Sequence, residues 1–144
     1  MITQRVDEQH DVLGFTAGWI RTLAQRVDRV DVLTGYKGEY NLPSNVTVRS
    51  FGKELGYSKP RRILAFEKQC LQLATSSVDV VFAHMIPNYI LGSWPLFKLG
   101  RKPMVLWYAH GHVDYALRAA HRLVDAVVTS TPQSFRLPSD KLTV

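Results

Sequence analysis

The sequence carries one cysteine, Cys70, and no apolar run near the roughly 18 residues that span a bilayer. A lone thiol excludes a disulfide framework and a thiolate zinc cluster, and it fits a reducing compartment. The opening MITQRVDEQHD lacks the apolar stretch of a secretory signal, so a cytoplasmic protein is expected. Neither G-x-G-x-x-G nor G-x-x-x-x-G-K-[ST] occurs, which removes the ordinary dinucleotide-binding and P-loop readings. No RNP-like, zinc-finger or helix-turn-helix spacing accompanies the net charge of +6, so nucleic acid is not an expected partner.

What is present is ordinary globular material. Hydrophobic residues make up 46% and charged residues 21%, which excludes wholesale disorder. The 144 residues amount to one domain, enough to bury about 70% of the unfolded surface without staples. The bases are scattered, with one denser region of Lys53, Lys59, Arg61, Arg62 and Lys68. That region reads as a solvated basic face or as a patch for anionic lipid.

Apolar strand-like runs alternate with amphipathic helical ones. Met1 to Thr3 resembles the tail of a first strand, and a polar loop, Gln4 to Asp11, follows. Phe15, Trp19, Leu23 and Val27, with Ile20 and Ala24, mark a helix face. Strands are expected at Val30–Thr34, ending at Gly35, and at Val46–Phe51. Pro60 opens a helix to about Thr75, its apolar side including Ile63, Phe66, Cys70, Leu73 and Ala74. The β-branched run Val78–Ala83 signals a strand buried on both faces. A helix over 89–99, a strand at Met104–Ala109 and a helix over 115–124 come next. Ala116, Ala119, Ala120 and Leu123 of that last helix should face inward, with Arg118, Arg122 and Asp125 outward. A strand at Ala126–Ser130 follows, and Lys141–Val144 begins a seventh.

This alternation predicts βαβ units: an α/β, Rossmann-like, doubly wound and mostly parallel sheet with helices on both faces. Ligands of such sheets sit beyond the carboxyl ends of the strands. Four places qualify. Gly14-Phe15 opens a helix, where glycine permits close approach and free N–H groups can meet a phosphate; a plain turn glycine reads equally well. His84 and Asn88 follow a strand, where a histidine is often structural. The run W-Y-A-His110-Gly111-His112-V-Asp114-Y delivers His110 to the ligand edge. Thr129-Ser130-Thr131-Pro132 is a hydroxyl cluster for a substrate or a helix cap.

His110-x-His112-x-Asp114 resembles the zinc motif of the metallo-β-lactamase superfamily, with Tyr115 in place of its next histidine. It keeps a metal-dependent hydrolase as one alternative; a non-catalytic α/β binding module is another.

Taken in order, the motifs resemble the N-terminal domain of retaining family-four glycosyltransferases, two-Rossmann (GT-B) enzymes. Leu13-Gly14-Phe15-Thr16 matches the glycine turn into the first helix, without the usual Gly-Gly pair. Asp79 to His84 matches D-v-v-h-x-H, and Pro103 to Gly111 matches P-x-v-x-x-x-H-g. Val124 to Ser130 matches A-D-a-v-v-t-x-S, and K-L-T-V enters the following strand. The resemblance implies the acceptor-side domain over residues 1–144, expected to be truncated at both ends.

It further implies transfer from a nucleotide-sugar to a polysaccharide or lipid-linked hydroxyl with retention, with no cofactor and no metal. Gly14 and Phe15 would offer N–H groups to the donor diphosphate. His110 would be the catalytic residue beside the transferred sugar, with Gly111 and Ser130 in the substrate site. His84 and the loop Gln4–Asp11 would face the acceptor. The family holds the nucleotide on a second, C-terminal Rossmann domain, so this chain alone is expected to be inactive. Lys53, Lys59, Arg61, Arg62 and Lys68 would dock the enzyme on the inner face of a membrane.

Overall fold

The βαβ alternation expected from the apolar runs is what the chain builds. The computed structural model describes residues 1–144. The order is β1 (Ile2–Val6), α1 (Phe15–Ala24), β2 (Val30–Lys37), β3 (Val46–Ser50), α2 (Lys59–Ala74), β4 (Val81–His84), α3 (Pro87–Leu99), β5 (Met104–Trp107), α4 (Tyr115–Leu123), β6 (Ala126–Val128), a 3-10 turn (Pro132–Ser134) and β7 (Leu142–Thr143). The chain divides into two compact units. The first is Met1 with Thr3–Phe66, and the second is Ile2 with Glu67–Val144.

In the first unit the strand order is β3-β2-β1, with β2 and β3 parallel from Val30 opposite Val46 to Thr34 opposite Ser50. Its core gathers Val6, Ile20, Ala24, Val30, Val32 and Val48. Strand β1 is five residues long rather than the three-residue tail expected. Gln4 and Arg5 look like loop by polarity. Yet Arg5 lays its guanidinium over the Tyr36 ring (3.7 Å) and pairs with Asp7 (3.0 Å), so a strand can carry it. Strand β2 runs on through Gly35 to Lys37.

The buried residues of α1 are Thr16, Ala17, Ile20 and Ala24, whereas Phe15 and Val27 are exposed. Each four-residue step from Phe15 overshoots a helical turn by about 40°, so the expected stripe rotates off the core. Helix α2 starts one residue before Pro60, which therefore sits in the first turn. Ile63 is exposed, contrary to expectation, while Phe66, Cys70, Leu73 and Ala74 are buried.

In the second unit the strand order is β4-β5-β6-β7, all parallel, and Ile2 stands opposite Ala83. Strand β4 begins at Val81, and Val80 before it is exposed, so the buried run is shorter than its β-branched content implied. Helix α4 buries Leu117 and Ala120; Leu117, missed by the alanine pattern, is its one fully buried large side chain. Asp125 is exposed as expected, and it also holds β5: its carboxylate accepts from Met104 N (2.7 Å) and its N–H donates to Met104 O (2.9 Å).

Candidate functional site

Within the second unit, three neighbouring parallel strands end side by side. The register pairs His84 with Trp107 and Trp107 with Val128, so the last residues of β4, β5 and β6 reach one edge together. His84 is the final residue of β4, His110 lies three residues beyond β5, and Ser130 lies two beyond β6. This is the carboxyl edge, where open α/β sheets bind ligands.

The three positions named there differ in exposure. His84 is only 2% exposed and stacks on Trp107, ring centroids 4.9 Å apart. Burial pushes its pKa down to about 4, so its imidazole is neutral at physiological pH. It lies beneath the edge rather than on it. Met85, the next residue, has φ 69°, a left-handed conformation that is uncommon for a side chain with a Cβ. Its N–H donates to Trp107 O (2.8 Å), which holds the strained turn against β5. Asn88 is exposed on α3.

His110 is exposed, and its ring meets the edge of Tyr108 at 5.7 Å. Tyr108 is buried, and its hydroxyl donates to His112 O (2.8 Å), which shapes the His110-Gly111-His112 loop. Burial, with Asp114 adding to it, raises the pKa of Tyr108. Arg136 lies close over Gly111: a methyl there would stand 3.0 Å from Arg136 Nε and 3.1 Å from Cζ, so the guanidinium would have to shift to admit it. Ser130 is exposed, with its hydroxyl 3.4 Å from Ser134 Oγ. Thr131 caps the 3-10 turn by accepting from Ser134 N (3.2 Å). Thr129 Oγ1, by contrast, is buried with no hydrogen-bond partner.

The metal-like triplet does not converge. Asp114 is the N-cap of α4, accepting from Leu117 N at 2.7 Å. No three His, Cys, Asp or Glu side chains gather closely enough to hold a metal ion.

In the first unit, Gly14 is the residue before α1. Its N–H donates to His10 O (2.8 Å), so that donor is engaged within the loop. A methyl at Gly14 would meet the carbonyl oxygens of Glu8 and His10, each at 2.9 Å, and close approach of the loop is therefore what requires glycine. Phe15 is half-exposed at the start of α1. Glu8 ties the loop down, accepting from Arg21 Nη2 (2.6 Å) and from Asn41 N (2.7 Å).

The dense basic region is at the surface. Lys53, Lys59, Arg61 and Lys68 are exposed and Arg62 is half-buried; Arg61 lies over the Tyr57 ring at 3.7 Å. On α2, Arg61, Leu64, Lys68 and Leu71 recur at three- and four-residue spacing and are all exposed, which gives one mixed basic and apolar face. No helix is long and apolar enough to cross a membrane.

Against known structures, the chain superposes on MurG of Acinetobacter baumannii with a TM-score of 0.63 over 98% of its length, at 12% sequence identity. The fold is MurG-like. MurG is a GT-B glycosyltransferase, and the match establishes the expected α/β, Rossmann-type class. The chain spans 44% of the length of MurG. No protein-family model matches the sequence, and no curated protein matches it.

Motif reading missed Met85, Trp107 and Arg136. A left-handed backbone has no side-chain signature at a methionine. Trp107 passes for an ordinary core aromatic, and Arg136 follows the hydroxyl cluster without a recognisable spacing.

Proposed function

We propose that the chain is the acceptor-side Rossmann-like domain of a GT-B glycosyltransferase, moving a sugar from a nucleotide-sugar donor to a glycan or lipid-linked hydroxyl with retention of configuration. One observation carries this reading: His84, Trp107 and Val128 end β4, β5 and β6 in register, which leaves His110-Gly111 and Ser130 just beyond one carboxyl edge with His84 beneath it, on a fold shared with MurG.

The chemistry suits these residues. His110, exposed and braced by Tyr108, would orient the transferred sugar, and positioning of that kind lowers the barrier. Departure of the nucleoside diphosphate builds negative charge, which dipoles and cations stabilise. At the first loop, Phe15 and the start of α1 are the part of the Gly14-Phe15 pair that would face the diphosphate. His84, neutral beneath the edge, would support the acceptor side by fixing Trp107.

The mixed face of α2, with Lys53, Lys59 and Arg62, would hold the enzyme against anionic lipid, each base contributing about 1 kcal/mol near the surface. Liposome binding that survives high salt and reversal of Lys59, Arg61 and Arg62 rejects that docking.

The test of function is NMR of the chain with a panel of nucleotide-sugars and glycan acceptors. Shifts of the His110, Gly111 and Ser130 amides by millimolar acceptor support the reading; a panel that leaves all three unmoved rejects it. In the complete enzyme, the anomeric coupling of the product reports retention or inversion.

A further inference from the structure

We infer that Arg136, seated on Gly111 beside His110, forms a binding site for a phosphoryl group at the carboxyl edge. Three observations carry this. First, Arg136 is exposed and makes no ion pair or hydrogen bond within the protein, so the fork of the guanidinium keeps its donors for a ligand.

Second, the backbone that carries Arg136 is anchored and sets the guanidinium over Gly111. Its neighbour Phe135 is 3% exposed and anchors the segment, meeting Tyr108 edge-on at 6.2 Å and His121 at 6.0 Å. The 3-10 turn closed by Thr131 fixes the approach to Phe135. At the other end the absent side chain of Gly111 leaves the space that the guanidinium fills. A cation that starts from an anchored backbone has fewer positions to give up on binding an anion.

Third, the surrounding donors favour an oxyanion. His110 and His112 flank Gly111, both exposed, and the nearest carboxylate in the loop, Asp114, is committed to the Leu117 N–H. Arginine matches the geometry of phosphate with two parallel N–H donors. The phosphoryl group could belong to the donor's diphosphate or to a phosphorylated acceptor. Its part in sugar transfer rests on the function proposed above, whereas anion binding itself does not.

The experiment is NMR titration of the full chain with inorganic pyrophosphate, followed in parallel by a nucleoside diphosphate and an alkyl phosphate. Pyrophosphate should saturably shift the Arg136 Nε–H and the Gly111 amide. Arg136→Gln should weaken binding about tenfold, the loss of one charge-assisted contact. Gly111→Ala, which pushes the guanidinium off its seat, should weaken it as well. Arg101→Gln, in the turn before β5, should change nothing, and thermal melts should show all three variants folded. Tighter binding of the nucleoside diphosphate than of pyrophosphate assigns the site to the donor; tighter binding of the alkyl phosphate assigns it to the acceptor. Failure of pyrophosphate to shift these resonances, or equal affinity in Arg136→Gln, overturns the inference. Pyrophosphate binding that depends on Arg136 in a protein without transferase activity would sink the proposed function alone.

Discussion

The imidazole of His84 lies flat on the indole of Trp107, with ring centroids 4.9 Å apart and planes 13° from parallel. These two residues are register partners at the ends of β4 and β5, so the stack ties together the two strands that lead to Met85 and His110. Stacking of a neutral ring on an indole survives burial; a charged imidazolium there would lose its hydration.

That relationship sets a pH dependence. The folded pKa of His84 is about 4, against an ordinary 6.5, because burial disfavours the charged form. The unfolded chain therefore binds the extra proton first as pH falls. This contribution to stability is complete above pH 6.5 and is lost between 6.5 and about 4, amounting to at most about 3 kcal/mol. Urea melts across that range should show stability falling with acid, and His84→Gln should remove much of the slope. An unchanged slope in the variant contradicts the assignment.

Cys70 is completely buried, and its thiol is pushed up to about 12, chiefly by burial and secondly by Glu67. A thiol of this kind is inert, since only the thiolate is nucleophilic. An aromatic disulfide reagent at pH 8 should leave the folded protein unlabelled and label it stoichiometrically in denaturant. Rapid labelling of the native protein would contradict the burial of this face of α2.

Asp114 serves as the N-cap of α4. Asp114→Ala should cost about 1 kcal/mol of stability through the lost bond to Leu117 N. Prolonged dialysis against a chelator should leave the melting temperature unchanged. A chelator-induced loss of stability, abolished by His110→Ala, would restore the hydrolase reading.

Gly14 answers to packing. Glycine to alanine before a helix is usually mild, but here the methyl would meet two backbone oxygens at 2.9 Å. Overpacking against backbone should destabilise the protein by about 1–3 kcal/mol. A melt of Gly14→Ala equal to wild type would show the loop to be freer than its hydrogen bonds imply.

Much of the fold was legible in the sequence because α/β chains write their strands as continuous apolar runs. Val32, Ala83, Leu106 and Val127 all sit in strands at expected places and are fully buried. The errors arose where chemistry overrode polarity. Arg5 reads as loop by polarity, because the Tyr36 ring that it stacks on comes from β2, a partner distant in sequence. Ile63 reads as core by spacing, because local periodicity cannot tell which of two apolar stripes on α2 is buried. At the candidate site, His84, His110, Gly111 and Ser130 could be named from strand-end position alone. The burial of His84 and the seat of Arg136 on Gly111 depend on tertiary contacts that no local spacing encodes.

The proposal that this chain is a glycosyltransferase domain is tested most directly by sugar transfer. The measurement is incorporation of labelled sugar from a panel of nucleotide-sugars into glycan and lipid acceptors by the protein expressed from its natural gene, with and without His110→Ala. Measurable transfer is expected, falling about a hundredfold in the variant while the melting temperature stays unchanged. No transfer across the panel, or transfer that His110→Ala leaves intact, would contradict it.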